Sequence, residues 1–402
     1  MEKSVVALVE CDCYDQSCVD DAVQRGVDLL GGAARFASPD ENILLKPNIL
    51  WGTDPQRCVV THPAVFRAVG RVFKKTGAFL KYGDSPGGIQ ASLKALKRSG
   101  HFDVAQQEGI EPADFDNGKP VSHPKGVSSK NLVIANGVIE SDGVISIPKL
   151  KTHGLTRLTG AVKNQYGCVP GGVKGDYHAR FPDIAEFSRL VVDVCSLVSP
   201  RLYIMDAVYA MEGNGPQSGD PKKMGLIILS TDPVALDAVA ARLIDLNPQY
   251  ISTSIAGKEA GLGTYLEEEI EIVGAEIQKF IDKEFDVVRK PVEPMPRSRF
   301  LKSLKAQVIP KPVILQEKCT RCGRCVQVCP VDPKAVNWGK NQRKSPPVYD
   351  YKECIRCFCC HEMCPSRAIV IRRPLIGKLF PFLSFIGLLA SSRFVQRRDR
   401  KK

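Results

Sequence analysis

Eight cysteines near the C-terminal end of the chain have the spacing of metal ligands. They form two runs that each read C-x2-C-x2-C-x3-C-P, namely Cys319, Cys322, Cys325 and Cys329, then Cys354, Cys357, Cys360 and Cys364. This is the ligand run of bacterial 4Fe–4S proteins, because soft, anionic thiolates suit iron and a two-residue gap lets three sulfurs of one tight loop reach three corners of a cubane. The sequence therefore predicts two 4Fe–4S clusters.

Over roughly Val313 to Arg373 the chain resembles the two-cluster ferredoxin module. In that module the fourth ligand of each cluster is the last cysteine of the other run. The resemblance therefore implies two interleaved ligand sets, which are Cys319, Cys322, Cys325 and Cys364 for one cluster and Cys354, Cys357, Cys360 and Cys329 for the other.

The alternative interpretation of these cysteines is a pair of zinc sites, since C-x2-C pairs also hold zinc. The third cysteine at the same gap and the closing C-P, both occurring twice, favour the clusters. Cys359 breaks the pattern because it adjoins Cys360. We interpret it as a bystander thiol, although it could replace Cys360 if the loop shifted.

A second group of polar residues lies in the first 288 residues, in segments that follow predicted strands. The segments are Lys46-Pro47-Asn48, Gly83 to Gly88, Pro148 to Gly154 continued by Lys163 to Gly167, and Asp206 to Gly219. Lys149, Lys151, His153 and Lys163 would make an electropositive pocket for a carboxylate or phosphate, with Asp84 as a further site candidate. The glycines would let backbone N–H groups approach such a ligand.

Structural roles remain open for each of these residues. The lysines could be solvated, and His62 and His153 could be loop or capping residues without a ligand. Asp84, Asp206 and Glu212 could bind a metal, transfer a proton or only cap local turns. Gly83 to Gly88 matches neither the G-x-G-x-x-G motif nor a P-loop, so it predicts no nucleotide site.

Strands and helices alternate along this part of the chain. The predicted strands are Ser4–Glu10, Asn42–Lys46, Ala78–Tyr82, Asn131–Ala135, Gly143–Ile147, Leu202–Met205, Leu226–Leu229 and Ile270–Val273. The predicted helices are Asp20–Leu30, His62–Thr76 with Thr61 as its cap, Gln90–Arg98, Ile184–Leu197, Pro233–Ile244 and Thr253–Ala260. Nearly continuous apolar strands predict an α/β fold, a large, mostly parallel sheet with helices on both faces. In such sheets ligands bind beyond the carboxyl ends of the strands.

The 402 residues allow a large core plus a small module. We expect an α/β domain at 1–288, a Pro-rich basic linker at 289–312, a small α+β ferredoxin-like two-cluster domain at 313–373 and an apolar and basic tail at 374–402. Residues 1–288 hold 30 Lys and Arg against 37 Asp and Glu, whereas residues 289–402 hold 26 against 7. The basic segment at 289–402 could attract an acidic redox partner or bind an anionic membrane surface. A nucleic-acid role is not favoured, because no aromatic residues interleave the charges.

The remaining cysteines have neither ligand spacing nor a disulfide framework, and they are Cys11, Cys13, Cys18, Cys58, Cys168 and Cys195. We interpret them as ordinary reduced thiols. The N-terminal residues contain no long apolar core and no cleavage site of a secretory signal. Both features fit a reducing cytoplasm.

The tail contains an apolar run from Leu379 to Ala390 between basic flanks. Twelve residues are too few to span a bilayer as a helix, which needs about 20. The run could lie in the interface of an anionic membrane, so that the protein would be peripheral to it, or could dock onto this chain or a second copy.

The large domain resembles the family catalogued as domain of unknown function 362. The resemblance spans roughly Val5 to Val288 and rests on the phrases LLKPN, THP, GDSPGG, IPKLKTHGLTRLTGAVKN, MDAVYAMEGNGPQSG and STDPVALDAVAARLI. It implies an uncharacterised iron–sulfur protein of anaerobe-type metabolism, many relatives of which carry a C-terminal ferredoxin module. The family has no agreed catalytic residues, so the site candidates rest on their positions after strands.

Three functional hypotheses follow from these patterns. In the first, the protein is an iron–sulfur oxidoreductase that passes single electrons to or from an anionic substrate in the lysine pocket. In the second, it is an electron carrier or adaptor whose large domain only docks a partner. In the third, it is a non-redox enzyme with structural or regulatory clusters.

Overall fold

The computed structural model of the protein describes residues 3–88, 90–291, 310–339 and 342–372. It confirms the predicted fold class, a large mixed and mostly parallel sheet with helices, followed by a small cysteine-rich region of short strands. The strands are β1 (Ser4–Glu10), β2 (Asn42–Pro47), β3 (Phe79–Tyr82), β4 (Glu111–Pro112), β5 (Gly118–Ser122), β6 (Asn131–Ala135), β7 (Gly143–Ile147), β8 (Lys149–His153), β9 (Arg157–Leu158), β10 (Leu202–Glu212), β11 (Asp220–Ser230), β12 (Ile270–Gly274), β13 (Lys311–Ile314), β14 (Val336–Asn337), β15 (Val348–Tyr349) and β16 (Ile369–Arg372).

The α-helices lie mainly between the strands of the large sheet. They are α1 (Gln16–Leu29), α2 (Pro63–Lys74), α3 (Ser92–Arg98), α4 (His101–Glu108), α5 (Asn136–Ile139), α6 (Gly160–Asn164), α7 (Val173–Arg180), α8 (Ile184–Val198), α9 (Pro233–Leu243), α10 (Ser252–Glu259), α11 (Arg324–Gln327) and α12 (Cys359–Glu362).

The large sheet has the strand order β12-β1-β11-β10-β7-β2-β3-β4, with β8 paired to β10 and β9 to β8. Among the described strands, only β11 and β9 run antiparallel to their neighbours in this sheet. Strands β2, β3 and β7 are parallel, and β10 is parallel to β7. Their carboxyl ends therefore lie at one edge of the sheet, where a crevice for a ligand is expected.

Alternate side chains of β1 enter two separate cores. Val6 and Leu8 belong to one core and Ala7 and Val9 to the other, and none of the four is more than 3% exposed. Helices α8 and α9 cover the first core, and helices α1 and α2 cover the second. Burial on both faces explains why the strands are apolar throughout rather than alternating.

The small region consists of two strand pairs and two short helices. Strand β13 pairs with β16 and β14 pairs with β15, both antiparallel. Helices α11 and α12 each contain the third cysteine of one run. Buried around them are Val336, Ala368 and Ile369 together with several of the cysteines.

Two sequence predictions about local structure are wrong. The segment that begins at Lys149 is strand β8 rather than a loop, and Asp206 lies within β10, which continues to Glu212. The reason is tertiary, because β10 and β11 extend as a long hairpin and offer β8 a partner, with Lys149 opposite Asp206.

The predicted cap of α2 is also wrong. The N-cap is His62, whose Nδ1 accepts a hydrogen bond from Ala64 N at 3.2 Å. The Thr61 hydroxyl instead donates to Ile147 O at 2.6 Å, which ties the segment before α2 to strand β7.

Two predicted regions lie wholly or partly outside the described residues. The basic linker is described only to Pro291 and from Pro310, and the tail at 374–402 is not described. Within the described part of the chain, no helix has the length and apolar character needed to cross a membrane.

Candidate functional site

A buried ion pair stands at the carboxyl ends of β2 and β3. Lys46 Nζ lies 2.7 Å from Asp84 Oδ1, and both side chains are almost fully buried. Asp84 Oδ2 also accepts a hydrogen bond from Ile49 N at 2.8 Å, and Lys46 donates to Asn164 Oδ1 at 3.1 Å. The predicted site residue Asp84 therefore holds two strand-end segments together, because its charge is compensated and its oxygens accept internal bonds.

Lys151 points into the same buried network. Its ammonium donates to Asn48 Oδ1 at 2.6 Å and to Val59 O at 2.7 Å, and the residue is 1% exposed. Burial lowers the pKa of Lys151 well below its ordinary value, and the charge of nearby Lys163 adds to the effect. Strand β8 thus places Lys151 in the interior of the large domain rather than on an open loop.

Lys149 lies on the same strand as Lys151 but has different partners. Its ammonium is 2.8 Å from Asp206 Oδ2 and 2.8 Å from the Tyr14 hydroxyl, which donates to Asp206 Oδ1 at 2.9 Å. Lys149 and Asp206 are both 0% exposed. The expectation that Lys149 offers a free charge to a ligand is therefore wrong, because the pairing of β8 with β10 places it against a carboxylate.

His153 connects the large domain to the cysteine-rich module. Its Nδ1 accepts hydrogen bonds from Leu155 N and Thr156 N, and its Nε2 lies 3.1 Å from Glu362 Oε1. Burial lowers the pKa of His153 to about 4. The imidazole is therefore neutral at pH 7, and since Nδ1 accepts two bonds, its proton is on Nε2 and faces the Glu362 carboxylate.

Glu362 and Lys163 are the charged groups nearest this contact. Burial by itself would raise the pKa of Glu362, but His153 and Lys163 outweigh it and lower that pKa. The Lys163 side chain is half-buried, and its Nζ lies 5.9 Å from the ring centre of Tyr166. Among the described residues, no hydrogen bond or ion pair engages the Lys163 ammonium, so it is the candidate lysine that remains available to an anion.

The acidic candidates Asp206 and Glu212 also have internal partners. Glu212 Oε2 accepts a hydrogen bond from Asp286 N at 2.9 Å, and Asp206 is paired with Lys149. Within the described residues, no three His, Cys, Asp or Glu side chains are arranged to hold a single metal ion.

The two cysteine runs share one backbone conformation. In each run the residues on both sides of the second cysteine have positive φ, at 55° and 77° for Arg321 and Gly323 and at 60° for both Arg356 and Phe358. A short helix then contains the third cysteine of each run. Such left-handed residues close the tight loops that two-residue gaps between ligands require.

Several thiols of the module are buried close to one another. Burial raises the pKa of Cys325 to about 12, and the other charges that raise it are those of Cys322, Cys364 and Cys319. Burial also raises the pKa of Cys354, and the neighbouring Cys357 and Cys329 add to the effect. All eight cysteines of the two runs are free thiols. Bound clusters would be held by these sulfurs as thiolates and would supply single-electron transfer; the ligand sets stay a prediction.

Hydrogen bonds to two of these sulfurs were not anticipated from the sequence. The Tyr349 hydroxyl donates to Cys360 Sγ at 3.1 Å, and Ala368 N donates to Cys364 Sγ at 3.3 Å. Donors to ligand sulfurs are a recognised means of tuning a cluster's reduction potential. Cys359 occupies the position that Arg324 occupies in the first run, and it remains interpreted as a bystander thiol.

The module packs its second run against the strand-end edge of the large sheet. His361 Nε2 lies 2.7 Å from Asn214 Oδ1, and Arg367 Nη1 lies 2.7 Å from Asp220 Oδ1. On the other side, the Arg324 guanidinium lies 4.3 Å from the ring centre of Trp51. Sequence reasoning missed Glu362 and His361, because neither lies in a recognisable motif of its own.

Two family models match separate parts of the chain. Residues 43–242 match the family described as Domain of unknown function (DUF362), and residues 311–365 match the 4Fe-4S dicluster domain. The dicluster domain supports an iron–sulfur electron-transfer role and the binding of 4Fe–4S clusters.

Two individual proteins are similar to the chain. The Thylakoid-associated protein sll1697 of Synechocystis sp. is 33% identical over 263 residues, which are 65% of this chain and 81% of that protein. The lactate racemase apoprotein from Thermoanaerobacterium thermosaccharolyticum is 12% identical with a TM-score of 0.38, covering 59% of this chain and 56% of that one. The similarity to the lactate racemase apoprotein is too low to support an argument about function. On the family match and the cyanobacterial relative together, the chain belongs to the family of domain of unknown function 362 and carries a C-terminal 4Fe-4S dicluster domain.

Proposed function

We propose that the protein binds two 4Fe–4S clusters and transfers electrons between an acidic redox partner and a small anionic substrate held at the strand ends of the α/β domain. One observation carries this proposal. Helix α12, which contains the predicted ligand Cys360, contacts strand β8 through Glu362 and His153 at 3.1 Å. The second cysteine run therefore faces the crevice in which the sheet is expected to hold a ligand.

The substrate side of this arrangement centres on Lys163. Its ammonium lies near Tyr166, His153 and Lys151 and is attracted by the Glu362 carboxylate, but no hydrogen bond or ion pair engages it among the described residues. Tyr166 is buried, and Cys359, Glu362 and Cys357 act on it electrostatically. An anion bound at Lys163 would therefore sit beside the second cysteine run, which favours a short path for electrons.

The partner side is the first cysteine run. Cys322 is exposed, whereas Cys360 and Cys364 are buried. Arg321 next to it donates to Lys344 O at 3.0 Å, which brings exposed basic side chains to the rim of this run. A basic rim around an exposed ligand favours an acidic redox partner.

The test uses the full-length protein with reconstituted clusters. Iron and sulfide analysis is expected to give about eight of each per chain. Inorganic phosphate and acetate are then titrated separately, and binding is followed by calorimetry and by the electron paramagnetic resonance spectrum of the reduced protein. We expect binding that perturbs the spectrum and that weakens about tenfold in Lys163→Ala, as for the loss of one charge-assisted bond.

Lys119→Ala is the matched control, because Lys119 is an exposed lysine on β5, remote in sequence from the crevice. It is expected to leave anion binding unchanged. If neither anion binds, or if both variants weaken binding equally, the substrate role of Lys163 is excluded.

An electron carrier or adaptor is the second candidate function. It is favoured by the internal partners of Lys46, Lys149 and Lys151, which leave little free positive charge beneath the crevice. In this case a reduced acidic partner would exchange electrons with the clusters at the same rate with and without added anion.

Contact with a membrane surface is a separate proposal about location. The cyanobacterial relative is named as thylakoid-associated, and the tail of this chain combines an apolar run with basic flanks. Flotation with anionic liposomes would compare the full chain with a form ending at Arg373. Equal flotation of both would exclude the tail as an anchor.

A further inference from the structure

Cys11, Cys13 and Cys18 lie close together in the segment that leads from strand β1 into helix α1. Cys11 Sγ lies 3.8 Å from Cys18 Sγ, and Cys11 also donates to Cys13 O at 3.5 Å. Cys11 is buried, whereas Cys13 and Cys18 are partly exposed. All three are free thiols, as expected for ordinary reduced cysteines, and the turn from β1 into α1 places the sulfurs of Cys11 and Cys18 in contact.

We propose that Cys11 and Cys18 form a reversible disulfide, which makes the turn between β1 and α1 a thiol-based redox site separate from the predicted clusters. The two sulfurs are already in contact, and they need to approach by less than about 2 Å to reach the S–S bond length of about 2.05 Å. Both ends of the pair are anchored. Cys11 N donates to Gly225 O at 2.8 Å on the neighbouring strand, and Cys18 lies in the first turn of α1.

Cys18 is the attacking sulfur in this scheme. Burial by itself would raise the pKa of Cys18. Backbone N–H groups of Cys13 and Asp12 and the neighbouring thiols outweigh this effect and lower the pKa. Cys18 therefore has a larger thiolate fraction than an ordinary cysteine and can be reached from solvent. A reactive, accessible thiol beside a second thiol is the arrangement of redox-sensing cysteines.

A low-molecular-weight disulfide is the oxidant class that balances the reaction. The Cys18 thiolate attacks one sulfur of that molecule, forms a mixed disulfide and releases one small thiolate. Cys11 then transfers its proton to the released small thiolate and attacks Cys18 Sγ, which releases the second small thiolate. Two protein thiols become one disulfide, and the small disulfide becomes two thiols.

The bond would constrain a segment that reaches into the buried network of the large domain. Tyr14 lies between the two cysteines, and its hydroxyl contacts both Asp206 and Lys149. Its ring also stacks on His62, with ring centres 3.6 Å apart. Oxidation of Cys11 and Cys18 would therefore change the positions of residues at the strand-end edge of the sheet.

The experiment is disulfide mapping of the full-length, cluster-loaded protein. The protein is incubated anaerobically with oxidised glutathione, alkylated, and cleaved on the N-terminal side of aspartate. Cleavage before Asp12 and Asp15 separates the three cysteines into three peptides. We expect the Cys11 and Cys18 peptides to be linked and to separate again after treatment with a thiol reductant.

Three variants sharpen the result. Cys18→Ser is expected to abolish the link, whereas Cys13→Ser should retain it. Cys58→Ser, which removes another buried thiol, should retain it as well. Three unlinked peptides from the treated wild-type protein, or a link between Cys18 and Cys13, would overturn the proposal. Because this outcome is measured on the wild-type protein, it tests the proposal even if a variant fails to fold.

Discussion

His153 Nε2 lies 3.1 Å from Glu362 Oε1, and this contact joins strand β8 of the large domain to helix α12 of the cysteine-rich module. Glu362 stands between Cys360 and Cys364, which are predicted to ligate different clusters. A single buried side chain between two predicted ligands of the second run thus contacts the strand-end edge of the large sheet.

Replacement of Glu362 by alanine should loosen the module from the large domain. The change removes the carboxylate that lies 3.1 Å from the buried His153 Nε2, which costs on the order of 1 kcal/mol. Hydrogen exchange is expected to become faster at residues 359–363 and around Asn214, which contacts His361. The exposed Glu353 of the same module is the matched control, and equal exchange in Glu353→Ala and Glu362→Ala would contradict the docking role.

Loss of the Tyr349 hydroxyl should lower the reduction potential of the second cluster. This hydroxyl donates to Cys360 Sγ at 3.1 Å, and a donor to sulfur stabilises the more negative, reduced state. Tyr349→Phe is expected to shift the potential downward by on the order of tens of millivolts, in a titration followed by electron paramagnetic resonance. Tyr351→Phe is the control, because its hydroxyl donates to Pro312 O instead, and it should leave the potential unchanged.

Replacement of Gly167 by alanine should disrupt the buried ion pair of Lys46 and Asp84. The added methyl group would overlap Asp84 Oδ1 and lie 2.7 Å from Lys46 Nζ. We expect Gly167→Ala to reduce the free energy of unfolding by about 1–3 kcal/mol in urea denaturation. A methyl group at Gly172 meets nothing within 4 Å, so Gly172→Ala should stay close to wild type. Equal stability of the two variants would show that the crevice can rearrange around Gly167.

Acid should destabilise the protein through buried neutral histidines, of which His178 is the clearest. Burial lowers the pKa of His178 to about 4, and its ring stacks on Phe187 at 4.3 Å. Unfolded histidine has a pKa of about 6.5, so from pH 6.5 down to about 4 the unfolded state binds the additional proton and stability falls.

His178→Phe removes this titration while keeping an aromatic ring against Phe187. Between pH 7 and pH 5 the variant should lose about 2 kcal/mol less stability than wild type, in urea unfolding at each pH. Between pH 7 and pH 8 the two proteins should change in parallel. If wild type and variant show the same acid dependence, His178 is not a neutral buried group.

The cysteine runs could be interpreted from the sequence because their chemistry is local. Ligand spacing within a tight loop depends on a few adjacent residues, so C-x2-C-x2-C-x3-C-P specifies the site wherever the loop is placed. The same holds for the fold class, since continuous apolar strands alternating with amphipathic helices require a sheet that is covered on both faces. The family resemblance likewise followed from contiguous phrases.

The state of the charged candidates depended on pairings between distant segments. Lys149, Lys151 and Lys163 are similar in the sequence, yet the first faces Asp206, the second donates to Asn48, and the third keeps no ionic partner among the described residues. Register between β8 and β10 and the packing of α12 on the sheet decide these partners. The sequence by itself therefore determined the kind of chemistry and the class of fold, whereas only the tertiary structure decided which lysine is available, that Glu362 joins the two domains, and that Cys11 meets Cys18.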